Sequence, residues 1–475
     1  MKFMVYDIIL LVLFIAFVVQ FLIRNKKNLK KDGLLFLYRT KWGMNLIKKT
    51  GKKYKKTLKF LSHVSIGIGY LLMGVMLWLF GKIVYLYVAY PAVVRSIKVP
   101  PIMPLIPYLP QAFKLNFLPP FYFIYWIAIL AIIAITHEFA HGIFMSRYNI
   151  KIKSTGFGFF PFFLPVFLAA FVEQDEKSME RANNFKQRAV LSAGTFANII
   201  TALLGFLVMI LFFISAYSPA GVAFDGYAYG IVGLTSISSV NGISFENQTY
   251  QNLVSLMDED GYNEVETSKR TYLATKDFLD SQENVEDRVL LYLDSPALRS
   301  NLTGVIAEIN GVQIKSLDGL SEEIYKYSPN EQITLGINDG TDIYNVDLVL
   351  GEYPENPEIP WMGISFENQQ KSGLLGRVMQ TITSYKKPHV YYEARFEAAD
   401  FIYNFLWWLV LISFSVALVN MLPMGIFDGG KFFYLTILRL TNNKNKAEKW
   451  FKGVTKFLLF LVFVLMAFWA WSFIA

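Results

Sequence analysis

Six runs of about twenty mostly apolar residues decide what this 475-residue chain can fold into. They are Phe3–Leu22, Phe60–Phe80 (extendable to Tyr90), Phe121–Phe144, Ala189–Ser215, Phe401–Leu422 and Val454–Ile474. Each is long enough to cross a hydrocarbon layer about 30 Å thick as a helix. With 54% hydrophobic residues the chain is too apolar for an ordinary soluble protein. The expected fold is therefore a polytopic α-helical membrane protein of about six spans. No small-residue cleavage site follows the first run, so it is read as an anchor and not as a removable signal. The chain has no cysteine, which excludes disulfides and thiolate-bound metal.

The formal charge is +8, and its location says more than its sum. Fourteen Lys or Arg lie between Arg24 and Lys59, against one acid, Asp32. Flanks this basic stay in the cytoplasm. Between two spans, such a run fits anionic lipid better than nucleic acid, and no nucleic-acid partner is expected. The N-terminus is then outside, and the third span delivers "HEFAH" near its cytoplasmic end, followed by Arg147, Lys151 and Lys153. The basic loop "NNKNKAEKWFKG" falls inside as well, and residues 216–400 fall outside.

Three parts follow. Residues 1–215 hold four spans, residues 216–400 an inserted extracytoplasmic α+β domain, and residues 401–475 two more spans. Within the first, "GFGFFPFFLPVFLAAFV" (156–172) is apolar but broken by Gly156, Gly158, Pro161 and Pro165. It reads as a re-entrant loop or hairpin, with an interfacial loop as the alternative. In the inserted part, "GVIAEINGVQI" (304–314) reads as strand, Asn-Gly turn, strand. "LSEEIYKY" (320–327) reads as a short amphipathic helix, and 333–350 as two further strands. That order resembles a PDZ domain, with 230–242 as an early strand and 250–293 as an insertion or helical elaboration. The resemblance implies a peptide ligand taken along a strand edge.

Chemistry concentrates in "HEFAH". His137 and His141 are four apart, so on a helix they share a face and can bind one zinc. Glu138 lies beside them, placed to take a proton from a metal-bound water. Ionisable groups inside a span are costly and usually functional. A histidine pair hydrogen-bonded within a bundle would leave Glu138 without a reason. His63, at a membrane edge, and His389 lie elsewhere and carry no such pattern. Catalytic zinc takes three protein ligands and keeps one open position. Asp428, in "NMLPMGIFDGG" (420–430), is the candidate third. It follows a span broken by Pro423 and Gly425, and Gly429 and Gly430 would allow a tight turn after it.

These two motifs together resemble the site-2 protease family of intramembrane zinc metalloproteases. "LAAFVEQDE" (168–176), "SAGTFANI" (192–199) and the inserted PDZ-like domain resemble it too, so the likeness covers most of the chain. It implies His137, His141 and Asp428 as zinc ligands and Glu138 as general base, with Asn198 and Asn420 as polar groups near the substrate. Thr195 and Gly425 stand where the family often has proline, and Phe427 where leucine is common. These departures touch the groove and not the ligands. The implied activity is zinc-dependent endopeptidase cleavage in or beside transmembrane segments of membrane proteins, as in regulated intramembrane proteolysis. Two rivals are a membrane zinc protease acting on non-membrane or misfolded substrates and a metal-free PDZ membrane scaffold.

Overall fold

A computed structural model describes residues 2–471, apart from 33–34, 92–93, 95–99, 102, 160–167, 283–286, 341 and 368–372. The chain divides into two units, one of Met1–Phe212 with Asp400–Ala475 and one of Phe213–Ala399.

The first unit is helical. Its principal helices are α1 (Lys2–Arg24), α2 (Met44–Lys53), α3 (Lys55–Ala89), α4 (Phe123–Arg147), α5 (Asn184–Ala216), α6 (Ala399–Asn420), α7 (Asp428–Thr441) and α8 (Lys444–Trp471). All but α2 and α7 are long and apolar enough to cross a membrane, and the six expected runs fall on these six helices. The protein is a polytopic helical membrane protein with an inserted α+β part. The centre of the bundle is closed by fully buried side chains from α2, α5, α6 and α7, among them Ile47, Ala189, Ala193, Ala417 and Phe432. A second core, with Tyr125, Ile129 and Trp408, joins α4 to α6.

Four strands belong to the same unit: β1 (Leu29–Asp32), β2 (Leu35–Thr40), β3 (Ile152–Phe159) and β4 (Leu168–Gln174). They form one antiparallel sheet in the order β1-β2-β3-β4, leaving β4 as an edge. The ends of the 156–172 segment are thus strands, and its middle, 160–167, lies outside the described residues. The first two strands were not expected. Their apolar stretch, Leu35–Tyr38, is short and is hidden among lysines that read as a charged run. The sheet needs Gly156, because a Cβ there would run into the Tyr38 carbonyl and come within 2.7 Å of the Phe171 ring. Arg39 fastens the strands from the side. It donates to both carboxylate oxygens of Glu173 at 2.8 and 3.1 Å, and Ser154 adds a third bond at 2.5 Å.

The second unit holds two six-stranded antiparallel sheets. One runs in the order Tyr229–Gly233, Arg288–Leu293, Thr271–Ala274, Asn263–Thr267, Ile237–Val240, Ile243–Ser244. The other takes Ile343–Val349, Gln332–Asn338, Val305–Ile309, Tyr217–Ala223 and Val390–Ala394, with Val312–Gln313 beside Val305–Ile309. Each has its own core, around Val265, Val289 and Leu291 in the first and Ile306, Ile333 and Leu335 in the second. The expected strand–turn–strand, helix and strand pair of 304–350 are all present, with the helix at Leu317–Ile324.

Two expectations fail. The strands of 230–242 do not join the 305–349 sheet but the other one. Residues 250–293 are not a helical elaboration. They carry three strands and two short helices that complete a separate core.

The two cores share one local plan. Val240-Asn241-Gly242 and Ile309-Asn310-Gly311 both turn with positive φ at Asn and Gly, 50° and 78° against 48° and 79°, the conformation of a type I′ hairpin. Asn241 exchanges bonds with Glu264 as Asn310 does with Thr334. A short helix capped by a hydroxyl follows in each, by Thr249 and by Ser316. The second unit is thus built from one strand–turn–strand–helix pattern used twice.

Candidate active site

Helix α4 places His137 and His141 on one face, and the chain break between α6 and α7 brings Asp428 to meet them. The two Nε2 atoms are 3.0 Å apart, and Asp428 Oδ2 lies 3.3 Å from His137 Nε2 and 3.2 Å from His141 Nε2. Among the described residues these three form the group with metal-ligand potential. A tetrahedral zinc with bonds of about 2.0 Å needs ligand atoms about 3.3 Å apart. The triangle fits that requirement.

The imidazoles are held in the right tautomer from behind. The Val190 carbonyl lies 2.7 Å from His141 Nδ1, accepts its proton and leaves Nε2 free to ligate. The Asn198 amide stands 3.1 Å from His137 Nδ1. As placed, its Oδ1 is buried without a partner. Rotating the amide by half a turn lets Oδ1 accept from Nδ1–H. Asn198 therefore touches a histidine, where the resemblance implied a place near substrate. Asn420 ends α6, eight residues before Asp428, and no hydrogen bond ties it to the histidines among the described residues.

Glycines make the centre possible by close approach. A Cβ on Gly194 of α5 would sit 2.6 Å from His137 Nε2 and closer still to His141 Nε2, too close to both imidazoles for any side chain. Gly429 and Gly430 were expected to allow a turn. Instead they lie in the first turn of α7, and a Cβ at Gly429 would meet the Leu422 carbonyl at 2.5 Å. Their role is to let α7 start against the backbone of the α6–α7 connection. Asp428 opens α7, where the positive end of the helix dipole favours a carboxylate.

Glu138 reaches the sheet. Its Oε2 accepts from the Val172 N–H of β4 at 2.8 Å. It lines a cavity of about 20 Å³, which is room for about one water. Glu173, the other acid near this edge, is engaged by Arg39 and Ser154. Elsewhere, His63 bonds the Lys59 carbonyl and His389 pairs with Asp225.

Sequence reasoning missed Gly194, the Val190 carbonyl and the Val172 N–H. Gly194 and Asn198 are four apart and share a face of α5, a spacing that could have linked them to the histidines. The two backbone groups leave no mark on a sequence.

Apolar helices around two histidines and a carboxylate that could hold a metal, with a glutamate alongside, fit a membrane protein with a hydrolytic type of site. The sequence profile of Peptidase family M50 matches residues 125–465, and the chain belongs to that family of membrane zinc metalloproteases. It is also 33% identical over 196 residues to an uncharacterized protein, MJ0971, of Methanocaldococcus jannaschii. That match covers 41% of this chain and 48% of the other, so the chain spans about half the length of this curated relative.

Proposed function

We propose that this chain cleaves peptide bonds within or beside the transmembrane segments of membrane proteins, as in regulated intramembrane proteolysis. The observation that carries the reading is the His137–His141–Asp428 triangle, formed between spanning helix α4 and the start of α7, with Glu138 one residue along α4. His137, His141 and Asp428 would hold zinc. Bound there, zinc would lower the pKa of a water toward ~7 and polarise the scissile carbonyl. Glu138 takes the proton and returns it to the leaving amine, and the Val172 N–H fixes the carboxylate in place for both steps. Asn198 orients His137. A substrate helix hides its carbonyls, so the segment to be cut must first unwind. Among the described residues β4 pairs with no strand beyond β3, and that edge, where the Val172 N–H reaches Glu138, suits an added strand.

The charge bias places the N-terminus and residues 216–400 outside and the site toward the cytoplasmic side, in a cell membrane. The PDZ-like part would act as a gate or size filter and bind an extended peptide, apart from the catalytic machinery. The test is a pair of substitutions. Glu138→Gln keeps size and can still accept from Val172. It should retain zinc while cleavage of a test transmembrane substrate falls by a factor on the order of 10² to 10⁴. His137→Ala should lose zinc and activity together. Wild-type turnover by Glu138→Gln would refute the mechanism.

A further inference from the structure

A cavity of about 320 Å³ lies beside the one that Glu138 lines. The two share Ile135, Phe157 and Ala170 as lining residues, so they adjoin. The size is at the lower end of the roughly 300–1,000 Å³ range of ligand pockets. One side is α4, through Ile127, Leu130, Ala131 and Ala134. Spaced three and four apart, these lie on the helix face that carries Glu138 one turn further on. The opposite wall is a stripe of α1, Phe14, Phe17, Val18 and Phe21, at helical spacing.

The floor identifies what enters. Tyr38, Phe157 and Ala170 also line the cavity, and they are direct cross-strand partners, Tyr38 with Phe157 and Phe157 with Ala170. Residues in one cross-strand row project to one face of a sheet. The row stops at β4, the edge. Val172 pairs with Thr155 on the β3 side while its N–H reaches Glu138 on the other. A strand laid on that edge would place the residue opposite Ala170 in the same row, with its side chain over the same face and hence in the cavity. Residues 170 and 172 are two apart on a strand, about 6.7 Å. The side chain in the cavity therefore belongs to a residue about two positions from the part of the substrate beside Glu138.

We propose that this cavity is a specificity pocket for one large apolar side chain of the unwound substrate, about two residues from the bond that is cut. The proposal rests on the protease reading above. The three alanines, Ala131, Ala134 and Ala170, leave the volume open. The aromatic wall selects an aromatic or long aliphatic occupant over a small or polar one.

The test uses the full chain in proteoliposomes with transmembrane substrates carrying Ala, Leu, Phe or Trp at each position near the cleaved bond. Mass spectrometry locates the bond and gives kcat/KM. Wild type should show one position, about two residues from the bond, at which Phe exceeds Ala by about tenfold or more. Ala134→Phe, which fills the cavity, should reduce that ratio about tenfold. Phe17→Ala, which enlarges it, should move the preference toward Trp. A size preference that neither substitution changes would overturn the pocket. Absence of any cleavage that depends on Glu138 would overturn the protease reading and the pocket with it.

A second measurement needs no turnover. Benzoylphenylalanine in place of Phe17, in the Glu138→Gln protein, should crosslink to the substrate at that same position. A crosslink to lipid acyl chain alone would show that the cavity is a lipid site and refute the proposal.

Discussion

Replacing Gly194 by alanine tests the metal centre with one added carbon. The two Nε2 atoms are 3.0 Å apart, and each must lie about 2.0 Å from a zinc. The Cβ of an alanine at 194 would fall 2.6 Å from one of these nitrogens and nearer the other. A carbon that close to both nitrogens clashes with the two rings that must carry the metal, and they cannot keep their positions. Relief demands that α5 retreat from α4 against a close-packed interface in which Ala189 and Ala193 are fully buried. Loss of a supporting contact around a metal typically weakens affinity by about 10–100-fold. Direct overlap should reach the upper end of that range or pass it, about 100-fold or more. Helix propensity works the other way, since alanine is better than glycine in a helix interior by about 0.5–1 kcal/mol. The expected protein is inserted and folded, yet without zinc. Membrane fractionation and a melting curve in detergent report the fold, and elemental analysis of purified protein reports the metal. Stoichiometric zinc in Gly194→Ala would refute the placement of the site between α4 and α5.

Asn198→Ala removes the partner of His137 Nδ1 and should weaken zinc binding about 10–100-fold with Asp428 and His141 intact, read by competition with a chelator. Arg39→Met breaks the bidentate bond to Glu173 that joins β2 to β4; faster proteolysis of the 150–175 segment should follow, and protection equal to wild type would exclude Arg39 as a fastener. Cysteines introduced at Ser255 and Asn45 report orientation with an impermeant label on intact cells. Labelling at Ser255 alone is expected, and labelling at Asn45 alone would invert the topology.

What could be read in advance follows the range of each interaction. The spans were legible because a bilayer demands one long apolar helix after another, a signal carried by each segment alone. The meeting of His137 and His141 was legible because helical spacing fixes which side chains share a face. Asp428 needed a second motif 287 positions after His141 and became convincing only through the family pattern. The sheet beside the site was not legible. Strand β2 gains its reason from pairing with β3, more than a hundred positions away, as Arg39 does with Glu173, and β1 gains its own from β2. In the inserted unit the signal was present and unread: "VNGISF" (240–245) and "INGVQI" (309–314) repeat one pattern, and that repeat is the sequence trace of two cores where one had been expected.

Asp7 shows how far a local rule can fail, and it supplies a last test. A carboxylate in the first apolar span has no obvious purpose in the sequence. In the structure it is 3% exposed and accepts three bonds, from the Tyr108 hydroxyl at 2.6 Å and from the backbone N–H groups of Phe123 and Ile124 at 2.6 and 3.0 Å. The last two are among the orphan donors at the start of α4. Tyr122, at the capping position, offers no side-chain acceptor, so the cap comes from another helix. Asp7→Leu strands two buried N–H groups and a hydroxyl. At about 1–3 kcal/mol for each group left unsatisfied, and with partial relief from rearrangement, a loss of about 2–5 kcal/mol is expected. Asp7→Asn keeps one acceptor oxygen and should lose less than half of that. The HEFAH histidine nearest this end, His137, is fourteen residues along α4, roughly 21 Å away. Zinc content should therefore survive while resistance to unfolding in detergent falls. An unchanged unfolding midpoint for Asp7→Leu would mean that the cap carries no stability. Lost zinc in a folded Asp7→Leu protein would mean that the N-terminal end of α4 sets the geometry of its C-terminal end.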